Sequence, residues 1–443
     1  MQGNGTELTK YTAAGPADLP QDSFPLTREL HAETITTSSR EAQIRIIGLD
    51  ICRSVAILAT MFSHALFAGG AQPYYALDHA GLIWLRYFLQ LSPPIFIILF
   101  GSVLEIVYRP RIEAGQKLQT TARLLTRAAQ CYLLYLVTLL AMLAAGLGSP
   151  AYMLRCALFF GATPYGDILK FYTLALAFAP ALIWLRDRGG FVTLGAVSIV
   201  IHLLHPLITR LAVPETSAAD AYLSPVIGFL IGGGEIVTGG PSFLHGMTFV
   251  IWGMMIGRAV IVLTRASSSR REIMQAACSM GALLLVSGAV LLAFWNFDAP
   301  FNTVRDLSNL TYRNINHPIY FAFGLFGTLL AVFVCLILYD VFRVKFGLSL
   351  TFAGKTSLFT FSFGNALLYL APALTLSLTG SWIYTFALFF LVCLQSYAFN
   401  WLQTARGNWL ATRFQALIVQ INSAVSWLPR QVAAPYAGLL GWR

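Results

Sequence analysis

Charge is what this 443-residue chain has least of: 11% of its residues are Asp, Glu, Lys or Arg, against 57% that are hydrophobic. A soluble domain carries roughly 25% charged residues, so this chain has too little polar surface to face water on all sides, and an ordinary soluble enzyme is excluded. The six cysteines (Cys52, Cys131, Cys156, Cys278, Cys335, Cys393) stand far apart and form no C-x-x-C or Cys/His spacing. Neither a disulfide framework nor a structural metal is expected from them. Residues 1–45 hold no apolar stretch that could form the core of a signal peptide, so the first hydrophobic segment is expected to be retained. That tail is rich in Thr, Ser, Ala and Pro, lacks a sustained period, and is expected to be disordered. The net charge of +10 raises nucleic acid as a partner, but binding it requires basic residues gathered on one solvated face.

Long apolar runs are what the chain has in abundance. About 20 apolar residues cross the hydrocarbon core of a bilayer as a helix. Roughly ten such runs occur, near 46–67, 81–107, 124–147, 167–185, 190–211, 241–264, 273–296, 318–340, 356–375 and 380–403. Backbone groups in lipid must be satisfied within the segment, which makes each run a helix. The expectation is an all-α, polytopic membrane protein with a membrane domain over 46–403 and a trailing segment over 404–443.

The connectors set the orientation. Arg109, Arg111, Lys117, Arg123 and Arg127 follow the second run, Arg186 and Arg188 the fourth, Arg265, Arg270 and Arg271 the sixth, and Arg343, Lys345 and Lys355 the eighth. The alternate connectors hold only Arg155, Arg210, Arg305 and Arg313. The positive-inside rule then places both termini in the cytoplasm, as an even number of crossings also requires. Most of the positive charge is therefore topogenic, nucleic acid is not expected as a partner, and membrane lipids are. After the last run, Trp409, Leu410, Phe414, Leu417, Ile418, Ile421 and Val425 recur at helical spacing. They predict either an amphipathic helix on the inner membrane surface or a packed terminal helix.

A charge inside a span is costly unless it is paired or faces a wet cavity, so each one is a functional candidate. The first run carries Asp50, Arg53 and His64. Asp50 and Arg53 are i,i+3 neighbours that can pair. Arg53 and His64 lie eleven residues apart, within about 20° of whole turns, which places them on one face roughly 16 Å apart along the axis. A cation at one level and an imidazole well above it suit a long anionic donor that enters at one end and reacts farther in. The alternative is a helix-end ion pair with a histidine at the far interface.

Leu49-Asp50-x-x-Arg53 followed by x10 and His64 resembles the N-terminal signature of the integral-membrane acyltransferase 3 superfamily. Two later stretches are similar to runs in the same family: Pro93-Pro94-Ile95-Phe96-Ile97-Ile98-Leu99-Phe100-Gly101, and Gly354-Lys355-Thr356-Ser357-Leu358. The second resembles the branch related to osmoregulated periplasmic glucan succinyltransferases. Phe100-Gly101-Ser102 departs from the usual Ser-Gly ending, and Ser54 stands where members often have Gly or Ala. The resemblance implies a multi-pass inner-membrane enzyme that moves an acetyl or succinyl group from cytoplasmic acyl-CoA to a hydroxyl of an envelope glycan or lipid-linked sugar. Acyl-CoA would be a co-substrate, with no tightly bound cofactor or metal. His64 would be the general base, since an imidazole with a pKa of about 6.5 suits that task. Asp50 and Arg53 would organise the pantetheine or phosphate end of the donor.

His79, in the outer connector, is the next candidate for the base; its other reading is an exposed loop residue. Arg86 is expected to snorkel to the outer interface or to bind an acidic acceptor. Glu105 is expected to face interfacial water. The polar stretch containing Arg305, Arg313, Asn314 and His317 is either a sugar-binding surface or a solvated loop. His202 and His205 share a face, with His245 as the one nearby partner; cavity lining or interhelical hydrogen bonding is expected there rather than a metal site. From another functional class, a proton-coupled secondary transporter would use Asp50, Arg53 and the membrane histidines as its pathway. No internal repeat of the kind common in transporters is evident.

Overall fold

The computed structural model describes residues 46–76, 79–161, 163–210, 220–233, 241–265 and 267–442. The tail over 1–45 and Asp78 lie outside the described residues. Every regular element among those described is helical. The helices that matter here are α1 (Ile47–Ala68), α2 (Ala80–Leu89), α3 (Ser92–Val103), α4 (Lys117–Ala144), α5 (Asp167–Ile208), α6 (Asp220–Ile231) and α7 (Phe243–Thr264). They are followed by α8 (Arg270–Ala293), α9 (Pro300–Ser308), α10 (Thr311–Asn314), α11 (Pro318–Leu336), α12 (Ser357–Leu370), α13 (Leu378–Thr404) and α14 (Trp409–Leu439).

Among the described residues, eight helices are long and apolar enough to cross a bilayer. The difference from ten has two local causes. The fourth and fifth expected runs are the two halves of α5, which are helices that meet at a break at Gly190, where φ is 68° and ψ is −170°. Positive φ is costly for any residue with a Cβ, and glycine accepts it. Asp167 at the start of α5 sits in a cavity with His64. Arg186 reaches Glu105, and His205 then bonds the carbonyl of Ile315, close to Arg313 of the same His64 cavity. Both ends of α5 thus lie at one end of the bundle and its middle at the other. The ninth run is α12, only 14 residues long, yet it runs parallel beside α1. Arg53 meets Ser357 near its start and His64 meets Asn365 farther along.

The entry of α1 is capped from a distant element. The Asp340 carboxylate accepts from the backbone N–H of Ile47 and Gly48, at 3.0 and 2.8 Å. Two of the helix's orphan donors are satisfied there by an anion at the positive end of the helix dipole. A Cβ at position 48 would lie 2.8 Å from the backbone carbonyl of Cys335, so this close approach requires glycine.

The trailing helix is packed rather than lying apart. In α14, Ala411, Ser426, Pro429, Ala433 and Ala437 are buried. Gln130 of α4 donates to Asn422 at 2.8 Å, and Tyr436 donates to the Ala177 carbonyl at 3.0 Å. Helix α14 is therefore packed on the membrane domain and supplies one wall of the cavity described next.

Candidate functional site

Two cavities adjoin along α1. The larger, about 910 Å³, lies beside the first half of α1 and is walled mainly by apolar side chains such as Leu99, Phe100, Leu176, Ile418 and Val425. Asp50, Arg53, Arg127 and Lys355 supply its charged groups. The smaller, about 70 Å³, contains Thr60, His64, Tyr165, Asp167 and Arg313. Phe96, Ile168 and Phe361 belong to the walls of both. At roughly 10–15 Å³ per water, the small chamber has room for about five water molecules. That is enough for a reacting centre and too little for a whole substrate.

The expected Asp50–Arg53 pairing does not form. Arg53 donates from Nη2 to Ser357 Oγ at 2.7 Å, and its guanidinium lies 5.5 Å from the centre of the Phe96 ring. Arg53 thereby joins α1 to the start of α12 while facing the large cavity. Ser54 makes a second joint at this level, accepting from the Gly354 N–H at 3.1 Å.

The protonation of His64 follows from its neighbours. Asn365, fully buried, donates from Nδ2 to the Tyr165 carbonyl at 2.9 Å. This turns Asn365 Oδ1 toward His64 Nδ1, 2.8 Å away. An amide oxygen only accepts, so Nδ1 carries the hydrogen, and in the neutral imidazole Nε2 keeps its lone pair for the chamber. The ring stacks on Tyr165 with centroids 4.6 Å apart and meets the edge of Phe361 at 5.8 Å. Burial pushes the Tyr165 phenol up to about 12, so it remains a neutral platform near pH 7.

The remaining expected residues disperse. Arg313 of α10 lines the His64 chamber and donates from Nε and Nη2 to the neutral side chain of Asn314, each at 3.3 Å. Burial lowers the pKa of its guanidinium. Arg305 is partly exposed and pairs with Asp306 at 3.9 Å, away from both cavities. His317 is a helix cap: Nδ1 accepts from the Ile319 N–H at 3.2 Å at the entry of α11. His79 is exposed at the N-cap of α2 and lines neither cavity. Arg86 does not snorkel; it is buried, with its guanidinium 4.1 Å from the centre of the Phe67 ring. Glu105 is also sealed in rather than facing interfacial water, because Arg109 at 3.0 Å and Arg186 at 3.3 Å enclose it.

Sequence reasoning missed Asn365, Asp167 and Lys170. Asp167 is buried; its Oδ1 accepts from Thr163 N–H and hydroxyl at 3.1 and 3.2 Å and pairs with Lys170 Nζ at 3.3 Å. Lys170 also donates to the Gly161 carbonyl at 3.0 Å and lies 4.1 Å from the centre of the Phe229 ring. Asn365 is a polar group inside an apolar run, the criterion that singled out Asp50 and Arg53, whereas Asp167 and Lys170 stand at the start of the expected run 167–185, where a charge gives no such signal.

His202, His205 and His245 do come together. Their ring centroids lie 5.5 Å (His202 to His245) and 4.8 Å (His205 to His245) apart. His205 Nε2 donates to the Ile315 carbonyl at 2.9 Å, and His245 Nδ1 bonds Ser242 Oγ at 2.8 Å. Among the described residues, no group of three His, Cys, Asp or Glu side chains is arranged to hold a metal ion. The chain matches no protein-family model and no curated protein.

Proposed function

We propose that this membrane protein is an O-acyltransferase that moves a short acyl group, acetyl or succinyl, from acyl-CoA to a hydroxyl of a carbohydrate or lipid-linked sugar. One observation carries the reading: a histidine held by an amide through Nδ1, His64, lines a small chamber that shares its wall with a long apolar cavity bearing Arg53. The Arg53-x10-His64 spacing and its resemblance to the acyltransferase 3 superfamily support it further. The large cavity would take the pantetheine arm, with Arg53, Arg127 and Lys355 toward the anionic end of the donor. The distribution of basic residues supports entry from the cytoplasm, with both termini on that side and the acceptor arriving from the outer face of the inner membrane.

In the proposed chemistry, His64 Nε2 takes the proton of the acceptor hydroxyl as its oxygen attacks the thioester carbonyl. Arg313, the one cation among the chamber's described residues, donates to the oxyanion that develops. The carbon–sulfur bond then breaks, and the proton on Nε2 passes to the departing thiolate. The ester and the free thiol of CoA are the products, and no acylated cysteine or serine is needed.

The test is release of free thiol by the purified protein in detergent, with acetyl-CoA and succinyl-CoA as donors and an alkyl glucoside as acceptor. The wild type is expected to release thiol only when acceptor is present. His64→Ala is expected to lower the rate by about 10² to 10⁴, the usual contribution of a general base, while retaining acyl-CoA binding. A wild type that neither binds nor turns over acyl-CoA, and instead drives proton-coupled uptake in vesicles, would sink this reading.

A further inference from the structure

We propose that Asp167 selects the acceptor by taking a hydrogen bond from a second hydroxyl beside the reacting one, so that the acceptor is a diol rather than an isolated alcohol. The inference rests on the acyl-transfer reading of the same chamber. Asp167 belongs to the wall of the His64 chamber and is 7% exposed. Its two oxygens are used unequally. Oδ1 serves Thr163 and Lys170, whereas Oδ2 is buried with no hydrogen-bond partner among the described residues. A buried carboxylate oxygen left unpaired is costly, and an arriving donor removes that cost.

Three features specify the donor. An ionised carboxylate only accepts, so the ligand must bring an N–H or O–H. Lys170 already balances the charge of Asp167 and Arg313 adds another cation to the chamber, which disfavours an ammonium and leaves a neutral hydroxyl. The chamber, about 70 Å³, holds little beyond the reacting atoms, which favours a hydroxyl on the carbon next to the one that bears the hydroxyl His64 deprotonates. Carbohydrates present that arrangement repeatedly.

The experiment uses the full-length protein with acetyl-CoA, an alkyl glucoside, and that glucoside's monodeoxy analogues, after mass spectrometry has located the acylated position. With the wild type, removing the hydroxyl adjacent to that position is expected to lower kcat/KM about 10- to 100-fold, the range for a hydrogen bond to a charged group. Removal of remote hydroxyls is expected to change it less than threefold. The pair Asp167→Ala with Lys170→Met, which leaves no lone buried charge, is expected to lower kcat/KM for the parent glucoside by a similar factor and to show no further loss with the adjacent deoxy analogue. Asp167→Asn combined with Lys170→Met, which preserves the Thr163 contacts and likewise leaves no lone buried charge, guards against misfolding and is expected to reduce the same penalty. Equal acylation of parent and deoxy analogue by the wild type overturns the role of Asp167 and leaves acyl transfer standing. So does an unchanged penalty in the variants. Acyl-CoA turnover absent with every glucoside overturns both.

Discussion

His64 and the trio His202, His205 and His245 are all membrane-embedded histidines, yet their surroundings differ in kind. His64 has one nitrogen fixed by an amide and the other left for a cavity. In the trio, rings pack on rings and on Phe321 and Trp252. Among the described residues, His202 Nε2, His205 Nδ1 and His245 Nε2 are buried without hydrogen-bond partners, and none of the three lines either cavity. Burial and a polar ring are common to both places. What separates them is space for a reacting atom and a neighbour that decides where the proton sits. General-base chemistry needs both, since the base must reach the proton it removes.

The sharpest way to break that contrast is to remove the tautomer control while leaving the cavity. Asn365→Leu deletes the acceptor for His64 Nδ1–H and the donor to the Tyr165 carbonyl. The expected result is a fall in kcat of about 100-fold with little change in KM for acyl-CoA. A reacting imidazole in the wrong tautomer is far less effective than its unchanged position suggests. Steady-state kinetics separate the two constants. An unchanged kcat would show that His64 needs no orienting partner.

Much of this was visible in the chain alone, and what was hidden has a physical cause. The helical membrane plan, the shared face of Arg53 and His64, and the candidacy of Arg313 follow from local composition and the 3.6-residue period. Asn365 could not be read in the same way, because its partners His64 and Tyr165 lie 301 and 200 residues away and an isolated amide in an apolar run carries no direction. Asp167 and Lys170 stood at the edge of an expected span, where charges are ordinary; only tertiary packing buries them. Glu105 was misplaced for the converse reason. Its position near a helix end suggested water, but Arg186 of α5 and Arg109 close over it. The break at Gly190 was implicit in the two adjacent apolar runs, which form two helices that meet there.

The contrast sharpens if the trio can be altered without touching catalysis. His245→Phe keeps a ring among Phe321, His202 and His205 and removes the bond to Ser242. Ser242 still accepts from the backbone N–H at position 245, 3.3 Å away, so the helix entry keeps its cap. A loss of about 1 kcal/mol of stability is expected from the missing hydrogen bond, read as a lower unfolding temperature in detergent. Acyl transfer is expected to stay within threefold of wild type. A deep loss of activity with normal stability would instead make the trio part of the reaction path.

The smallest effect is expected at His79, whose setting matches neither of the other two. It is exposed, its side chain makes no capping bond at the start of α2, and it lines neither cavity. A surface substitution of this kind typically changes stability by less than about 0.5 kcal/mol, so His79→Ala is expected to leave both unfolding temperature and acyl transfer within error of wild type. The measurement is worth making because His79 is the competing candidate for the base. An exposed imidazole can take a proton only if the acceptor and the thioester meet outside the chamber. Loss of activity in His79→Ala together with retention in His64→Ala would therefore move the reacting centre out of the bundle, and the Asn365–His64 contact would then be a helix-packing contact between α1 and α12.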